Sequence, residues 1–252
     1  MHVVSDVHGS VTALERAADG ADALVCLGDL VLFLDYHDPS GGIFADLFGT
    51  EAATTLIRLR SDKQFEQARE WSKQLWDSLD EDRGTVIQRK IREQYAGLFA
   101  AMPEPTYATY GNVDVPALWP EFTTHHHVLD GQTTQIGDLL WGFVGGGLTT
   151  PMRTPYEISD EDYAAKVQAL GRVDVLACHI PPDVPELLYD VTARRFERGS
   201  SAVLDAIRDT SPELVLFGHV HQPLQARTRI GRTECVNVGH FRGSGTPFVL
   251  EY

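Results

Sequence analysis

The sequence is poor in cysteine. Cys26, Cys178 and Cys235 are the 3 cysteines of the chain; they are odd in number, far apart, and each lies in an apolar run. Disulfide-stapled domains carry an even set of regularly spaced cysteines, so the sequence argues against a disulfide framework. We interpret all three as buried free thiols, which are typical of a reducing compartment.

Basic residues are also scarce. The chain has 21 Lys+Arg against 36 Asp+Glu, which leaves a formal net charge of −15. Non-specific binding to nucleic acid or to an anionic membrane surface depends on broad Lys/Arg faces. We therefore expect no bulk nucleic-acid binding and no membrane partner, and a polyanionic substrate would need a local source of positive charge.

Long apolar runs are missing as well. No run approaches the ~20 residues of a membrane span. Met1 is followed almost at once by Val3-Val4-Ser5-Asp6, without the basic start, apolar segment and cleavage site of a secretory signal. A cytoplasmic location is the expectation.

What is present is typical of a globular protein, with 43% hydrophobic and 23% charged residues. Short apolar runs that end at polar residues predict buried strands. These runs are 2–5, 23–27, 106–110, 139–144, 173–178 and 214–217. Apolar spacing predicts helices over 10–21 and 200–210, with a hairpin turn at 230–233 and a last strand over 248–252. This mixture indicates an α/β or α+β fold.

The segment from Phe33 to Pro105 differs from its flanks. It begins with a loop composition at 35–42 and continues with two helical stretches, about 61–79 and 85–101. In the first stretch Phe65, Ala68, Trp71, Leu75 and Leu79 recur every three or four residues, as in an amphipathic helix. We predict one domain, 1–252, with a helical insertion at about 33–105. The insertion either covers one end of the fold or forms a lid or partner surface over a site.

Polar side chains follow five of the predicted strands at the point where each strand ends. In open α/β sheets ligands bind at the carboxyl ends of the strands, so these loops are expected to face one crevice. The motifs are Asp6-Val7-His8, Gly28-Asp29, Gly111-Asn112-Val113-Asp114, His179 and Gly218-His219-Val220-His221. Each alone could be an ordinary turn or strand end. Their order and shared position favour a site.

Carboxylate, imidazole and amide ligands suit divalent Mn, Fe, Zn or Co, with manganese favoured here. Two metals held about 3.5–4 Å apart activate a water and neutralise a phosphoryl group. In an acidic protein such a pair would supply the missing positive potential.

On these motifs the sequence resembles the calcineurin-like metallophosphoesterase family, whose pattern is D-x-H, G-D, G-N-H-[DE], a His after a strand, and G-H-x-H. The resemblance runs from Val3 to His221, and Asn237-Val238-Gly239 is similar to the family's later N-x-G strand end. It implies a four-layer α/β/β/α sandwich of two mixed sheets with a dinuclear centre at one edge. It also implies the ligands of the two metals, with Asp29 bridging: Asp6, His8, Asp29 and His221 for one, and Asp29, Asn112, His179 and His219 for the other.

The third motif departs from the family, because Val113 stands where many members carry a histidine that contacts the phosphate and can protonate the leaving oxygen. Some members that resemble bacterial phosphodiesterases have cysteine there, so the loss is compatible with activity. The departure puts in doubt the hydrolysis of esters with poor leaving groups.

Other residues could substitute for that histidine. His240 follows the Asn237-Val238-Gly239 strand end and is the candidate acid, and His37 in the loop after Asp29 is a weaker one. Arg242 lies close to His240 and is the candidate phosphate-binding guanidinium. The run 125–127, three histidines, is interpreted as a solvated loop or strand edge, because neighbouring strand residues alternate faces.

The resulting hypothesis is a dinuclear, metal-dependent phosphoric ester hydrolase acting on phosphodiesters or other small phosphate esters with good leaving groups through a metal-bridging hydroxide. Asn112 and His240 are the predicted catalytic residues, and Arg242 and His37 the predicted substrate-binding residues. One alternative is a binding scaffold that kept the fold and lost the chemistry. Another is a phosphomonoesterase such as a protein phosphatase. The oligomeric state is left open.

Overall fold

The computed structural model describes residues 1–251, and the chain divides into two compact units. The first contains Met1–Leu30 and the chain from Leu98 onward, and the second is Val31–Gly97. Strands are found in the first unit only among these residues: β1 (His2–Val4), β2 (Leu24–Cys26), β3 (Thr106–Ala108), β4 (His127–Val128), β5 (Gln132–Ile136), β6 (Leu139–Val144), β7 (Gly147–Leu148), β8 (Glu157–Ile158), β9 (Val175–Cys178), β10 (Tyr189–Asp190), β11 (Arg195–Phe196), β12 (Leu214–Phe217), β13 (Arg227–Ile230), β14 (Thr233–Asn237) and β15 (Phe248–Val249).

Helices occur in both units. They are α1 (Val11–Leu14), α2 (Ile43–Phe48), α3 (Thr50–Ser61), α4 (Phe65–Asp77), α5 (Arg83–Ala101), α6 (Asp160–Ala169), α7 (Pro185–Leu188), α8 (Ser201–Thr210) and α9 (Phe241–Ser244), with a 3-10 helix at Pro116–Glu121. None of the helices in the described part of the chain has the length and apolar character that crossing a membrane requires.

Two mixed sheets organise the first unit. One has the strand order β15-β1-β2-β3-β4 and the other β13-β14-β12-β9-β6-β5. Both sheets contain parallel pairs, such as β1 with β2 and β9 with β12. The five-stranded sheet has one antiparallel edge strand, β15, and the six-stranded sheet has two, β13 and β5. This arrangement confirms the predicted mixed α/β class with two mixed sheets and helices.

Alternation along the strands explains how the sheets pack. In β9, Val175 and Ala177 lie in one apolar core together with Val3 and Val25 of the five-stranded sheet. Leu176, between them, points the other way and joins a second core with residues of α6 and α8. Because side chains alternate between the faces of a strand, one face of the six-stranded sheet covers the other sheet and its opposite face is covered by helices.

The structure contains all six predicted buried strands, and the predicted turn at 230–233 joins β13 to β14. The predicted last strand is shorter, Phe248–Val249, and its final position, 252, lies outside the described residues. The helix predicted over 10–21 is wrong beyond its first turn. After Leu14 the backbone forms turns closed by hydrogen bonds between residues three apart, such as Arg16 N–H donating to Ala13 O. It then reaches Gly20, which has φ 81°.

The second unit is helical, as predicted, but two of its helices, α2 and α3, were not predicted. Trp76 is the centre of its core, with ring centroids 4.8 Å from Phe48 and 6.3 Å from Phe44. Phe65, predicted on the packed face of α4, is 62% exposed. The role of this segment as a lid or partner surface, and its place within a single domain, stay predictions.

Candidate metal centre

The loops that carry the predicted ligands all belong to the first unit. Three follow β1, β2 and β3 of the five-stranded sheet, and two follow β9 and β12 of the six-stranded sheet. The carboxyl ends of these strands, which belong to both sheets, therefore meet at one place. The structure brings the seven predicted ligands together there: Asp6, His8, Asp29, Asn112, His179, His219 and His221.

Several of these residues have a left-handed backbone although none of them is glycine. Asp6, His8, Asp29 and His219 have φ values of 56°, 39°, 55° and 67°. Such conformations cost free energy and persist where the surrounding structure imposes them, most often at functional sites. Each marks a sharp turn straight after its strand, and the turn directs the side chain toward the other loops.

One end of the centre is mostly buried, with His219 partly exposed. His179 Nε2 lies 3.0 Å from Asn112 Oδ1 and 3.5 Å from Asp29 Oδ1, and His219 Nδ1 lies 2.9 Å from the same Asn112 oxygen. Asp29, His179 and His219 each offer a ligand atom, and these atoms lie within 4.8 Å of one another. The arrangement matches the set that the resemblance implied for one metal.

The other end is partly open to solvent. His221 Nε2 lies 3.3 Å from Asp6 Oδ1, and His8 Nε2 lies 4.0 Å from that atom and 3.8 Å from Asp29 Oδ2. The side chain of His221 is 35% exposed, against 0% for His179. Asp29 thus faces both ends, with one carboxylate oxygen toward each.

The atoms that converge at the buried end are suited to binding a cation. His179 Nδ1 lies 2.9 Å from the carbonyl oxygen of Leu27, which can only accept, so this nitrogen carries the ring proton. In neutral His179 the lone pair of Nε2 then points at the oxygens of Asn112 and Asp29. Three lone pairs converge on one point, and either a proton or a metal ion must lie there to make the arrangement favourable.

The contacts of Asp6 show that the donor atoms at the open end are also suited to a cation. Its Oδ2 accepts the backbone N–H of His219 at 3.0 Å. Its Oδ1 is buried and makes no hydrogen bond of normal geometry within residues 1–251, although imidazole nitrogens surround it. Leaving a buried carboxylate oxygen without a partner is costly, so Asp6 Oδ1 is a candidate metal ligand.

Charge pairing sets the protonation of the buried end. Burial alone would lower the pKa of His179, but the charge of Asp29 outweighs it and raises that pKa to about 9. Burial would raise the pKa of Asp29, whereas His179 and His8 lower it to about 2. Burial and the charge of His179 lower the pKa of His219. The proton on His179 therefore takes the electrostatic place of a cation.

The open end shows the same pairing. Burial would raise the pKa of Asp6, but the close approach and charge of His221 hold it well below its usual range. Burial would lower the pKa of His221, and contact with Asp6 raises it instead. Both ends thus stabilise positive charge beside an ionised carboxylate.

Asp114 supports the centre without facing it, a role that the sequence analysis missed. Its carboxylate accepts the backbone N–H groups of Asp29, Leu30 and Gly111 at 2.9, 3.0 and 2.8 Å. It joins the loops after β2 and β3, and the N–H of Val113 in turn donates to Asp29 Oδ1 at 2.9 Å. Burial and the charge of Asp29 raise the pKa of Asp114 to about 7. Its place within the Gly-Asn-Val-Asp motif was the available signal.

The structure also brings His240 to the open end. Its ring stacks on that of His221 at a centroid distance of 3.9 Å and lies edge-on to His8 at 5.9 Å. Arg242 Nη1 donates to the carbonyl oxygen of His8 at 2.8 Å, so the guanidinium holds this loop. A contact between Arg242 and substrate stays a prediction.

Two further predictions concern histidines outside the ligand motifs. His37 belongs to the second unit, where it is exposed and its N–H donates to Asp35 Oδ1 at 2.8 Å. Its role in binding substrate stays a prediction. In the histidine run His125 and His127 are exposed, while His126 is half-buried with its ring 5.6 Å from that of Phe99. The run is not part of the centre.

Carboxylates and imidazoles gathered at the ends of two mixed sheets are typical of metal-dependent hydrolases. The comparisons narrow this class, because the model of the calcineurin-like phosphoesterase family matches residues 2–223. The chain belongs to that family, as the sequence resemblance predicted. Membership suggests metal-dependent hydrolysis of phosphoesters, and the His/Asp groups of the centre are the candidate metal ligands.

Solved structures show the same fold. One crystal structure is 17% identical with a TM-score of 0.59, covering 95% of this chain and 90% of that chain. The crystal structure of TT1561 of Thermus thermophilus is 16% identical with a TM-score of 0.52, covering 96% of this chain and 89% of its own. At these identities the likeness concerns the fold alone. No curated protein matches the chain.

Metal affinity should rise with pH, because a metal ion and the His179 proton compete for Nε2. Since the pKa of His179 is raised to about 9, the site is protonated below that pH and opens as the pH rises through it. We expect the Mn²⁺ association constant to rise about tenfold per pH unit between pH ~6.5 and ~8.5, with release of about one proton.

Calorimetry in two buffers of different ionisation enthalpy measures both quantities. His125→Gln, which removes an exposed histidine outside the centre, should leave the slope unchanged. A pH-independent affinity without proton release would contradict the geometry.

Proposed function

We propose that this chain is a dinuclear metal-dependent phosphoesterase that cleaves phosphodiesters, or other phosphate esters with good leaving groups. The observation that carries the proposal is the convergence on His179 Nε2 of acceptor oxygens from Asn112 and Asp29, at 3.0 and 3.5 Å. Only a positive charge satisfies such a cluster, and the family of the chain suggests that a metal ion supplies it.

Bound divalent metals would activate a water molecule and neutralise the phosphoryl oxygens. The buried end would be held by Asp29, Asn112, His179 and His219, and the open end by Asp6, His8, Asp29 and His221. Asp29 orients both ends relative to each other, since each of its oxygens faces one of them. The amide of Asn112 would present Oδ1 to the cation, and one NH₂ proton is used on Thr154 Oγ1 at 3.0 Å, so its predicted catalytic contact with a phosphoryl oxygen would use the second NH₂ proton.

Val113 restricts the choice of substrate. The side chain is half-buried, and the residue uses its N–H on Asp29 Oδ1. An isopropyl group neither binds a phosphoryl oxygen nor donates a proton, so the leaving oxygen receives no help from this position. Esters whose leaving group is stable as an anion need that help least, which favours aryl esters and activated diesters.

His240 is the residue we propose for protonating less stable leaving groups. It belongs to the open end, where His221 is 35% exposed and a substrate can enter. Stacking at 3.9 Å on His221 orients the ring. Because attraction is concentrated at the centre in a chain of charge −15, a compact phosphate ester suits it better than a nucleic-acid strand.

The test uses Mn²⁺-loaded and chelator-treated protein with bis(p-nitrophenyl) phosphate, p-nitrophenyl phosphate and an alkyl p-nitrophenyl diester. We expect metal-dependent turnover, fastest on the aryl diester. His240→Phe keeps the stacking on His221 and removes the proton donor. It should slow release of the alkyl leaving group about 100-fold and release of p-nitrophenolate much less.

The outcomes separate the alternatives. Two bound metals without turnover of any ester would favour the binding scaffold, and faster monoester cleavage would favour a phosphomonoesterase. Equal slowing of alkyl and aryl release in His240→Phe would show that His240 holds the centre and does not donate a proton.

A further inference from the structure

A chain of hydrogen bonds leads from Asn112 away from the centre. Asn112 Nδ2 donates to Thr154 Oγ1 at 3.0 Å, and Thr154 Oγ1 donates to Glu157 Oε1 at 2.8 Å. Glu157 also accepts from the hydroxyl and the backbone N–H of Thr150 at 2.6 and 2.7 Å. We propose that Thr154 and Glu157 are positioning residues that fix which end of the Asn112 amide faces the metal centre.

The direction of this chain follows from its protons. Burial would raise the pKa of Glu157, but the hydrogen bonds from Thr150 and Thr154 lower it. Ionised Glu157 only accepts, so the single hydroxyl proton of Thr154 is directed at it. Thr154 then has only lone pairs left for Asn112, and the amide must present its NH₂ group to them.

Fixing the NH₂ group on one side fixes the oxygen on the other. Asn112 Oδ1 thereby faces His179 Nε2 at 3.0 Å and His219 Nδ1 at 2.9 Å. The two ends of an amide have nearly the same shape, so packing hardly distinguishes them and hydrogen bonding decides. A flipped amide would place NH₂ where a cation ligand is needed.

The segment from β7 to β8, which carries Thr154 and Glu157, also holds the backbone of Asn112. Tyr156 N–H donates to the carbonyl oxygen of Asn112 at 2.9 Å, and Gly147 N–H donates to that of Tyr156 at 3.0 Å. The Tyr156 hydroxyl donates to Asp130 Oδ2 at 2.6 Å, and Lys166 lies 2.8 Å from the same carboxylate oxygen. The positioning residues are therefore held on the element that fixes the main chain of their target.

The inference rests on the proposed function, because it assumes that Asn112 Oδ1 is a metal ligand. Its test is Mn²⁺ binding by calorimetry, which needs no substrate. Thr154→Val removes the hydroxyl at nearly constant volume and should weaken one of the two Mn²⁺ binding events about 10- to 100-fold. Thr154→Ser restores the hydroxyl and should bind like the wild type.

Glu157→Gln probes the direction of the chain. The glutamine NH₂ can donate to Thr154 Oγ1. The Thr154 hydroxyl is then free to donate to Asn112 Oδ1, which allows the flipped amide of Asn112. The same Mn²⁺ binding event should therefore weaken. The matched control is Thr149→Val in the same segment, directly after β7. It removes a hydroxyl bond to the carbonyl oxygen of Ile158 and has no link to Asn112.

Unchanged Mn²⁺ affinity in Thr154→Val overturns the positioning role and leaves the proposed function intact. Equal weakening in Thr149→Val also overturns it, because the loss of affinity would then come from disturbing the β7–β8 segment and not from the direction of the Asn112 amide. Absence of Mn²⁺ binding by the wild type overturns the metal centre itself, and this inference with it.

Discussion

Asp29→Asn should remove the dinuclear character of the centre. Asp29 directs Oδ1 toward His179 and Oδ2 toward His8, at 3.5 and 3.8 Å from their Nε2 atoms. Asparagine offers one oxygen, and the N–H of Val113, 2.9 Å from Oδ1, retains that oxygen on the His179 side. An NH₂ group would then face His8, where it repels a cation.

We expect at least about 100-fold weaker binding of the metal at the open end, and about 10³-fold slower turnover of an aryl diester, since the group that supports charge in the transition state is lost. Metal content by elemental analysis and Mn²⁺ titration measure the first effect, and steady-state kinetics measures the second.

Asp209→Asn is the matched control, because it makes the same change at an exposed position of α8. It should leave both metals and the turnover unchanged. Two tightly bound Mn²⁺ ions in Asp29→Asn would show that Asp29 does not join the two ends, and the assignment of the centre would need revision.

Much of the fold was predictable because its strands are apolar and end abruptly. Runs such as 139–144 and 214–217 become β6 and β12 with the same bounds. Burial on both faces makes such strands uniformly apolar, and this signal survives without knowledge of the partner strand. Helix α8 was predicted from its apolar spacing, and in the structure Ser200 caps it by accepting the N–H of Val203 at 3.2 Å.

Other elements had no comparable local signal. Helices α2 and α3 meet at Gly49, which has φ 83°, so neither has a long uninterrupted period. The stretch after Leu14 has apolar residues at helical spacing, and yet it forms turns. In these segments tertiary packing decides, and the sequence pattern does not show what they pack against.

The residues of the centre were likewise predictable only in part. Its seven predicted ligands come together because each follows a strand, which is a local feature that the order of motifs reveals. The residues that orient them are distant in sequence from what they orient. Thr154 is separated from Asn112 by 42 positions, and Asp114 from Asp29 by 85. No periodicity connects such pairs, and only the folded chain brings them together.

The close approach of two loops explains why Gly28 precedes Asp29. Gly28 has φ 92°, and a Cβ atom there would overlap the backbone nitrogen and Cα of Gly111 and the carbonyl carbon of Tyr110. These are backbone atoms of the loop after β3, so no side chain can move aside. Gly28→Ala would push apart the loops that Asp114 joins through the N–H groups of Asp29 and Gly111.

We expect Gly28→Ala to lower the free energy of unfolding by at least about 4 kcal/mol, because it combines a left-handed backbone with a backbone overlap. Gly20→Ala is the matched control: Gly20 has φ 81°, and nothing lies within 4 Å of the position that an added methyl group would occupy. It shares the strain without the overlap and should cost about 1–2 kcal/mol. Urea unfolding of the metal-free proteins measures the difference. Equal costs would mean that the loops separate easily, and a centre built on loops that separate easily could not hold Asp29 against Asn112 and His179.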